Sequence, residues 1–168
     1  RIEVWKHGRD NGRGIADGLM SRILRELRGP GEMLYMCCGT RPIPGAVNVD
    51  IASHSQADII ADVTRAPFKD GVFDFVLADP PYPGYNSREL YHSGIIPLYA
   101  LMEEMSRVTK PGGRYAILYP FRPQTLINDV VLMHIVAAGG VHRRPRVLSV
   151  FMRGMLPAYR HPHYGKRS

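Results

Sequence analysis

At 168 residues, 45% hydrophobic and 22% charged, the chain has the composition of one ordinary globular domain, long enough to bury a core without disulfide or metal staples. No apolar run approaches the roughly 20 residues that span a bilayer, and no signal peptide opens the sequence, so no membrane role is expected. The formal charge of +7 is the electrostatic footprint expected of a nucleic-acid binder.

That charge is uneven. Arg143, Arg144, Arg146, Arg153, Arg160, Lys166 and Arg167 crowd the end of the chain with no acidic residue among them, and residues 153–168 read as a basic tail on a single domain, 1–168. The two cysteines, Cys37 and Cys38, are adjacent. Neighbours rarely reach disulfide geometry, and two thiols alone give no metal-site spacing. A reducing, cytoplasmic setting is expected. Because the sequence opens on Arg1 rather than Met, native residues are expected to precede it.

In chain order, residues 15–28 place Ala16, Leu19, Met20, Ile23, Leu24 and Leu27 at helical spacing, predicting a covering helix that Gly29-Pro30-Gly31 stops. Met33 to Cys37 predicts a buried strand, and the loop Gly39 to Gly45 follows. Val47 to Ile51, with Asp50 near its end, is a second strand, and Ile59 to Val63, around Asp62, a shorter third. The apolar run Phe73 to Ala78 predicts a fourth strand that delivers Asp79 at its C-terminal end. Residues 95–108 form an amphipathic helix, with Leu98, Leu101, Met102, Met105 and Val108 on one face and Glu103, Glu104 and Arg107 on the other.

Pro111-Gly112-Gly113 ends that helix and opens a fifth strand, Arg114 to Tyr119. A helix is predicted from Pro123 through Leu126, Val130, Val131 and Ile135 to the stop at Gly139-Gly140, and a last strand over Val147 to Met152. Apolar strands alternating with helices indicate a mostly parallel sheet covered on both faces, with ligands bound beyond the strand C-termini. Asp50, Asp62 and Asp79 should therefore line one crevice.

The chemistry concentrates at Asp79-Pro80-Pro81-Tyr82. Two prolines hold the backbone extended, because each fixes its own φ and restricts the residue before it. The Pro80 carbonyl stays available as an acceptor, and the Asp79 carboxylate is a second. Two acceptors side by side match the two N–H donors of an amino group, and accepting both localises the nitrogen lone pair for attack on a methyl group. A hydrogen bond to a charged acceptor contributes roughly 1.5–3 kcal/mol. Tyr82 offers a face for stacking on a base. His161-Pro162-His163 lacks a third ligand nearby and belongs with the solvated tail, so no metal is expected.

On these residues the sequence resembles the class I S-adenosylmethionine-dependent methyltransferases, in particular those whose Asp-Pro-Pro-Tyr motif acts on amino groups of nucleobases. The resemblance runs from about Met33 to Tyr119. It implies a Rossmann-like α/β sandwich, mostly parallel and shortened to about six strands, with S-adenosylmethionine as methyl donor. It also implies that Cys37 and Gly39 of Tyr35-Met36-Cys37-Cys38-Gly39-Thr40 form the cofactor loop, that Asp50 holds the ribose, and that Asp62 and Val63 lie beside the adenine. Asp79, Pro80 and Tyr82 would be catalytic. Pro81, Tyr85, Asn86 and Arg88 would meet the substrate.

Only Gly39 lies in the tight turn where the family's loop holds two or three glycines, and Thr40 to Ala46 leaves no room for the usual helix between the first two strands. A pyrophosphate-bearing dinucleotide wants that helix N-terminus; S-adenosylmethionine has no phosphate. Adenine in DNA is the leading substrate implied, ahead of an RNA adenine or guanine amino group or a small molecule. A non-catalytic nucleic-acid-binding module of the same fold is the reading from another class. The chain has no insertion large enough for a target-recognition domain, which points to a short or structured target, a partner subunit or relaxed specificity; a homo-oligomer is the alternative assembly.

Overall fold

The computed structural model describes residues 4–6, 19–81, 96–138 and 146–156. Its strands are β1 (Val4–Lys6), β2 (Met33–Met36), β3 (Val47–Asp50), β4 (Ile59–Ile60), β5 (Phe73–Ala78), β6 (Thr109–Tyr119), β7 (Val130–Ala138) and β8 (Arg146–Met152). The helices are α1 (Leu19–Arg28) and α2 (Leu98–Val108), with a 3-10 turn over Val63–Arg65. All strands join one sheet in the order β1-β7-β8-β6-β5-β2-β3-β4. Pairing is parallel except where β8 runs against β6 and β7. The result is the Rossmann-like sandwich expected, with β1 a three-residue edge strand beside seven others rather than about six strands in all.

Side-chain alternation along the central strands divides the core between the two faces of the sheet. One face carries Met33, Tyr35, Phe75, Leu77, Leu118 and Leu148, covered by Leu24 and Leu27 of α1. The other carries Leu34, Met36, Val49, Val76, Ile117 and Phe151, covered by Leu101, Met102, Met105 and Val108 of α2. Gly29, at φ 63°, closes α1 in the left-handed conformation that glycine adopts without steric penalty.

Three sequence expectations change. The helix predicted from Pro123 to Ile135 is instead an extended segment leading into β7. Val130, Val131, Ile135 and Val136 have β-branched side chains that suit a strand. The ladder Val130↔Met152 through Ala137↔Arg146 also satisfies an edge of β8 that a helix would leave open. Asp129 anchors the bend before β7, accepting from the Tyr115 hydroxyl at 2.7 Å and the Gly154 amide at 3.0 Å.

The polar face assigned to α2 also turns inward in part. Glu104 and Arg107 are buried, with Arg107 Nε and Nη2 on the Glu104 carboxylate at 2.9 and 2.5 Å. The same guanidinium donates to the carbonyls of Ala66 and Phe68. Finally, Arg153, the first residue assigned to the basic tail, is buried and donates to the carbonyls of Arg107 and Thr109. Residues 157–168 of that tail lie outside the described residues.

The β2–β3 crossover, residues 37–46, is held without a helix. Asn48, buried at the second position of β3, donates to the carbonyls of Ile43 and Ala46 and to the Asp58 carboxylate, and accepts from the Ile43 amide. Arg28 adds a 2.6 Å bond to the Gly45 carbonyl. One amide side chain thus satisfies backbone groups that a helix would have paired internally. Replacing Asn48 with Ala removes these hydrogen bonds and leaves the crossover backbone without its partner. A loss of about 2–3 kcal/mol in urea denaturation, with an unchanged m-value, is the expected result.

Candidate active site

A pocket opens at the C-terminal ends of β2, β3 and β5, the edge where an open α/β sheet receives ligands. Cys37 and Gly39 form one side, Asp50, Ile51 and Ala52 another; Val63, Asp79, Pro81 and Ile96 complete it, with His54 also in the lining.

The floor is set by the turn after β2. Gly39 takes φ 54°, and a side chain there would project into open space rather than into protein. A ligand can therefore approach this stretch of backbone directly. Cys37 also sits in the left-handed region, at φ 59°, strained for a residue with a Cβ by about 1–2 kcal/mol. Both thiols are free, and burial pushes the Cys37 thiol well up and the Cys38 thiol to about 11. They are neutral, non-nucleophilic groups at neutral pH.

Asp50 organises that turn. One carboxylate oxygen accepts from the Gly39 amide at 2.9 Å and the other from the Ala52 amide at 2.9 Å, and each oxygen retains a lone pair for a further donor. Asp62 takes a different position from the one expected. It caps the 3-10 turn, with Oδ1 accepting from both the amide and the hydroxyl of Thr64. The residue after it, the buried Val63, lines the pocket, and Asp62 itself is not among the lining residues. Asp50 and Asp79 therefore share the crevice, with Asp62 at its margin.

β5 carries Asp79 out of the core. Its strand is buried between β2 and β6, and the Asp79 amide still donates to the Met36 carbonyl. Pro80 is buried behind it. The Asp79 side chain is 10% exposed and lies 3.7 Å from Nη1 of Arg146, itself 13% exposed. Burial pushes the Asp79 carboxyl up to about 6, and the positive charge of Arg146 pulls against that rise. Tyr82, Tyr85, Asn86 and Arg88 lie outside the described residues.

No motif marks Ile51, His54 or Ile96. Arg146 is different, because a signal for it existed. It opens the last strand, and a strand running against its neighbours begins at the end where they finish. Counted in the sequence among the basic residues of the chain end, it instead lies folded against the pocket carboxylate.

Gly39's open backbone, the paired acceptors of Asp50 and the apolar wall of Ile51, Val63 and Ile96 suit a ligand with a hydroxylated sugar and a flat aromatic ring. S-adenosylmethionine has both. Among the described residues no group of His, Cys, Asp and Glu could hold a metal ion, and no helix is long and apolar enough to cross a membrane.

The sequence matches no protein-family model and no curated protein. Solved structures do match. The N-methyltransferase NodS from Bradyrhizobium japonicum WM9, in complex with S-adenosyl-L-homocysteine, superposes with a TM-score of 0.57 at 11% identity, over 79% of this chain and 84% of that one. An S-adenosylmethionine-dependent methyltransferase from Methanosarcina mazei gives 0.53 at 13% identity, over 75% and 93%. The putative methyltransferase solved in complex with the Trm112 activator of Haloferax volcanii gives 0.50 at 12% identity, over 78% and 84%. The class this defines is one of architecture: the chain has the Rossmann-like fold of S-adenosylmethionine-dependent methyltransferases.

Proposed function

We propose that this protein is an S-adenosylmethionine-dependent methyltransferase acting on an exocyclic amino group of a nucleobase, with adenine in DNA as the leading substrate. The observation that carries the reading is Asp79, a largely buried carboxylate delivered by a central strand to the rim of a pocket whose opposite side is Asp50 and Gly39. NodS, described as an N-methyltransferase, has the same architecture.

In this reading Asp50 takes the ribose hydroxyls, Val63 packs on the adenine and Asp62 reaches its amine from the pocket margin. Cys37 and Gly39 border the methionine part. S-adenosylmethionine, when bound, would supply a methyl on a sulfonium: the amino nitrogen would take that methyl as the S–C bond breaks, leaving the electron pair on sulfur, and would then pass one proton to water. Asp79 and the Pro80 carbonyl hold the amino group so that its lone pair points along that line. Alignment of nitrogen, carbon and sulfur supplies most of the acceleration, since charge moves rather than accumulates. Pro81 shapes the turn, and Tyr82, Tyr85, Asn86 and Arg88 are the residues proposed to meet the substrate.

A base in a duplex must be flipped out, at a few kcal/mol, which stacking on Tyr82 and a basic surface would offset. A second copy or a partner subunit would supply further contacts to the target; a putative methyltransferase of the same fold was solved with the Haloferax volcanii Trm112 activator. Two free thiols suit the reducing cytoplasm.

Isothermal calorimetry should give saturable S-adenosylmethionine binding, weakened at least ~10-fold by Asp50→Ala through loss of charged hydrogen bonds. No binding to the wild-type protein would remove the enzyme reading and leave a nucleic-acid-binding module. Tritiated methyl transfer to DNA, RNA and small-molecule pools then identifies the substrate.

A further inference from the structure

Strand order separates two sides of Asp79. The residues assigned to the cofactor lie at the ends of β2, β3 and β4, on one side of β5; β6 and β8 lie on the other. Arg146 opens β8 and reaches back to Asp79, with Nη1 3.7 Å from Oδ1. Between them on β6 stands Tyr119, beside Val147 in register. Its buried ring packs edge-on against Phe121, the centroids 4.8 Å apart at 88°. Phe121 is 54% exposed at this end of the sheet. A side chain that is only a donor thus stands next to one that, when ionised, is only an acceptor. Both are largely buried, with aromatic surface beside them.

From this juxtaposition, and resting on the methyltransferase reading above, we propose that Arg146 is a substrate-reading residue which restricts the enzyme to heteroaromatic amines of the amidine type. In these the carbon bearing the amino group is doubly bonded to a ring nitrogen; Arg146 donates to that nitrogen while Asp79 accepts from the amino group. Adenine presents such an edge through its 6-amino group and ring nitrogen 1, and cytosine through its 4-amino group and ring nitrogen 3. Guanine presents a donor, the N–H at ring position 1, beside its 2-amino group on the pairing edge. The one acceptor flanking that group, ring nitrogen 3, lies on the edge that carries the sugar, where the deoxyribose crowds the approach of Arg146. An alkyl amine fails for two reasons. It carries no acceptor beside its nitrogen, and near neutral pH it is an ammonium like that of lysine, with a pKa of about 10.4, repelled by the guanidinium. Rejecting a substrate that lacks a required hydrogen-bonding partner can give large discrimination, because the site's buried polar group is then left unpaired. The flanking guanidinium also holds the Asp79 carboxylate toward the substrate; among the described residues Tyr35 and Cys37 also feel its charge and stay neutral.

The test uses the whole protein, S-adenosylmethionine tritiated in its methyl group, and short single-stranded oligodeoxynucleotides. These carry one adenine, 1-deazaadenine, cytosine, 3-deazacytosine or guanine, and hexylamine serves as the alkyl amine. Wild type should methylate adenine or cytosine at least about tenfold faster than its deaza analogue, guanine or hexylamine. Arg146→Gln should lose at least about tenfold in kcat/KM on the preferred base, no longer distinguish it from the deaza analogue, and bind S-adenosylhomocysteine within about twofold of wild type. Arg146→Lys, which keeps a cation but loses the fork, should recover only part of the discrimination.

Wild type that methylates a deaza base as fast as its parent overturns the inference, and this arm requires no variant to fold. So does an Arg146→Gln protein that keeps full discrimination. Either result leaves nucleobase methylation standing. Transfer to hexylamine alone would remove the nucleobase reading together with this one.

Discussion

Asp79→Ala should abolish methyl transfer, with kcat down at least ~10²–10³-fold, while S-adenosylmethionine affinity in calorimetry stays within a few-fold of wild type. Removal of one pre-positioned partner of a reacting group typically has that effect on rate, and the polar groups assigned to the cofactor come from the ends of β2, β3 and β4, not from Asp79. Asp79→Asn separates charge from shape, since the amide keeps one acceptor oxygen and loses the negative charge. An intermediate rate is expected. A wild-type rate in the alanine protein would remove Asp79 from the chemistry.

The same carboxyl makes a pH prediction with two signs. Its folded-state pKa of about 6 lies above the ordinary 3.8 because burial disfavours the charge. Activity that needs the carboxylate should therefore rise from about pH 5 to about pH 7, with kcat/KM inflecting near 6. Stability moves the other way. The folded state holds this proton more tightly than the unfolded chain, so the contribution is full below about pH 4 and is lost as pH rises through about 6. Asp79→Asn should accordingly be more stable than wild type at about pH 7, by on the order of 2–3 kcal/mol, and show a flatter stability profile between about pH 4 and pH 6. Gain of stability with loss of rate is the pattern of a functional charge held against its environment.

Arg107→Ala is expected to be the most destabilising single change outside the pocket, by about 3–5 kcal/mol, enough to lower Tm by roughly 10 °C. The loss is severe because of what remains. Glu104 keeps a buried carboxylate with its guanidinium gone, and the Ala66 and Phe68 carbonyls lose their donor. The ion pair to Asp70 contributes little, since that carboxylate is 70% exposed. Replacing both partners, Glu104→Gln with Arg107→Met, should recover much of the loss in differential scanning calorimetry. A double variant as unstable as Arg107→Ala would show that the guanidinium's bonds to the loop after the 3-10 turn matter more than the buried pair.

Much of this architecture was legible in the chain. Buried parallel strands are continuous apolar runs, so Met33–Met36, Val47–Asp50 and Phe73–Ala78 could be read directly. A strand's end fixes the level of the residue that follows it, which is how Asp79 and Asp50 could be placed in one crevice. The segment after Tyr119 could not be read the same way. Leu126, Val130, Val131 and Ile135 satisfy a helical repeat as well as a strand, and the choice falls to β8, which has an edge to pair. Nor did hydropathy disclose the inward turn of Glu104 and Arg107, because a charged pair is recognisable as buried only when its partners and the carbonyls around it are known.

By itself, then, the sequence determined the order of the central strands and helices, the layer architecture and the arrival of Asp79 at the end of a central strand, because each follows from local periodicity and from turn residues that fix the backbone. Only the tertiary structure decided what surrounds that carboxylate. Arg146 is remote from Asp79 in sequence and 3.7 Å from it in space, brought there by the antiparallel return of β8. Asp62, next in the chain to the pocket residue Val63, caps its own helical turn through Oδ1. Periodicity governs which face of an element is buried; the neighbours of a charge depend on pairing between distant strands, which no local pattern encodes.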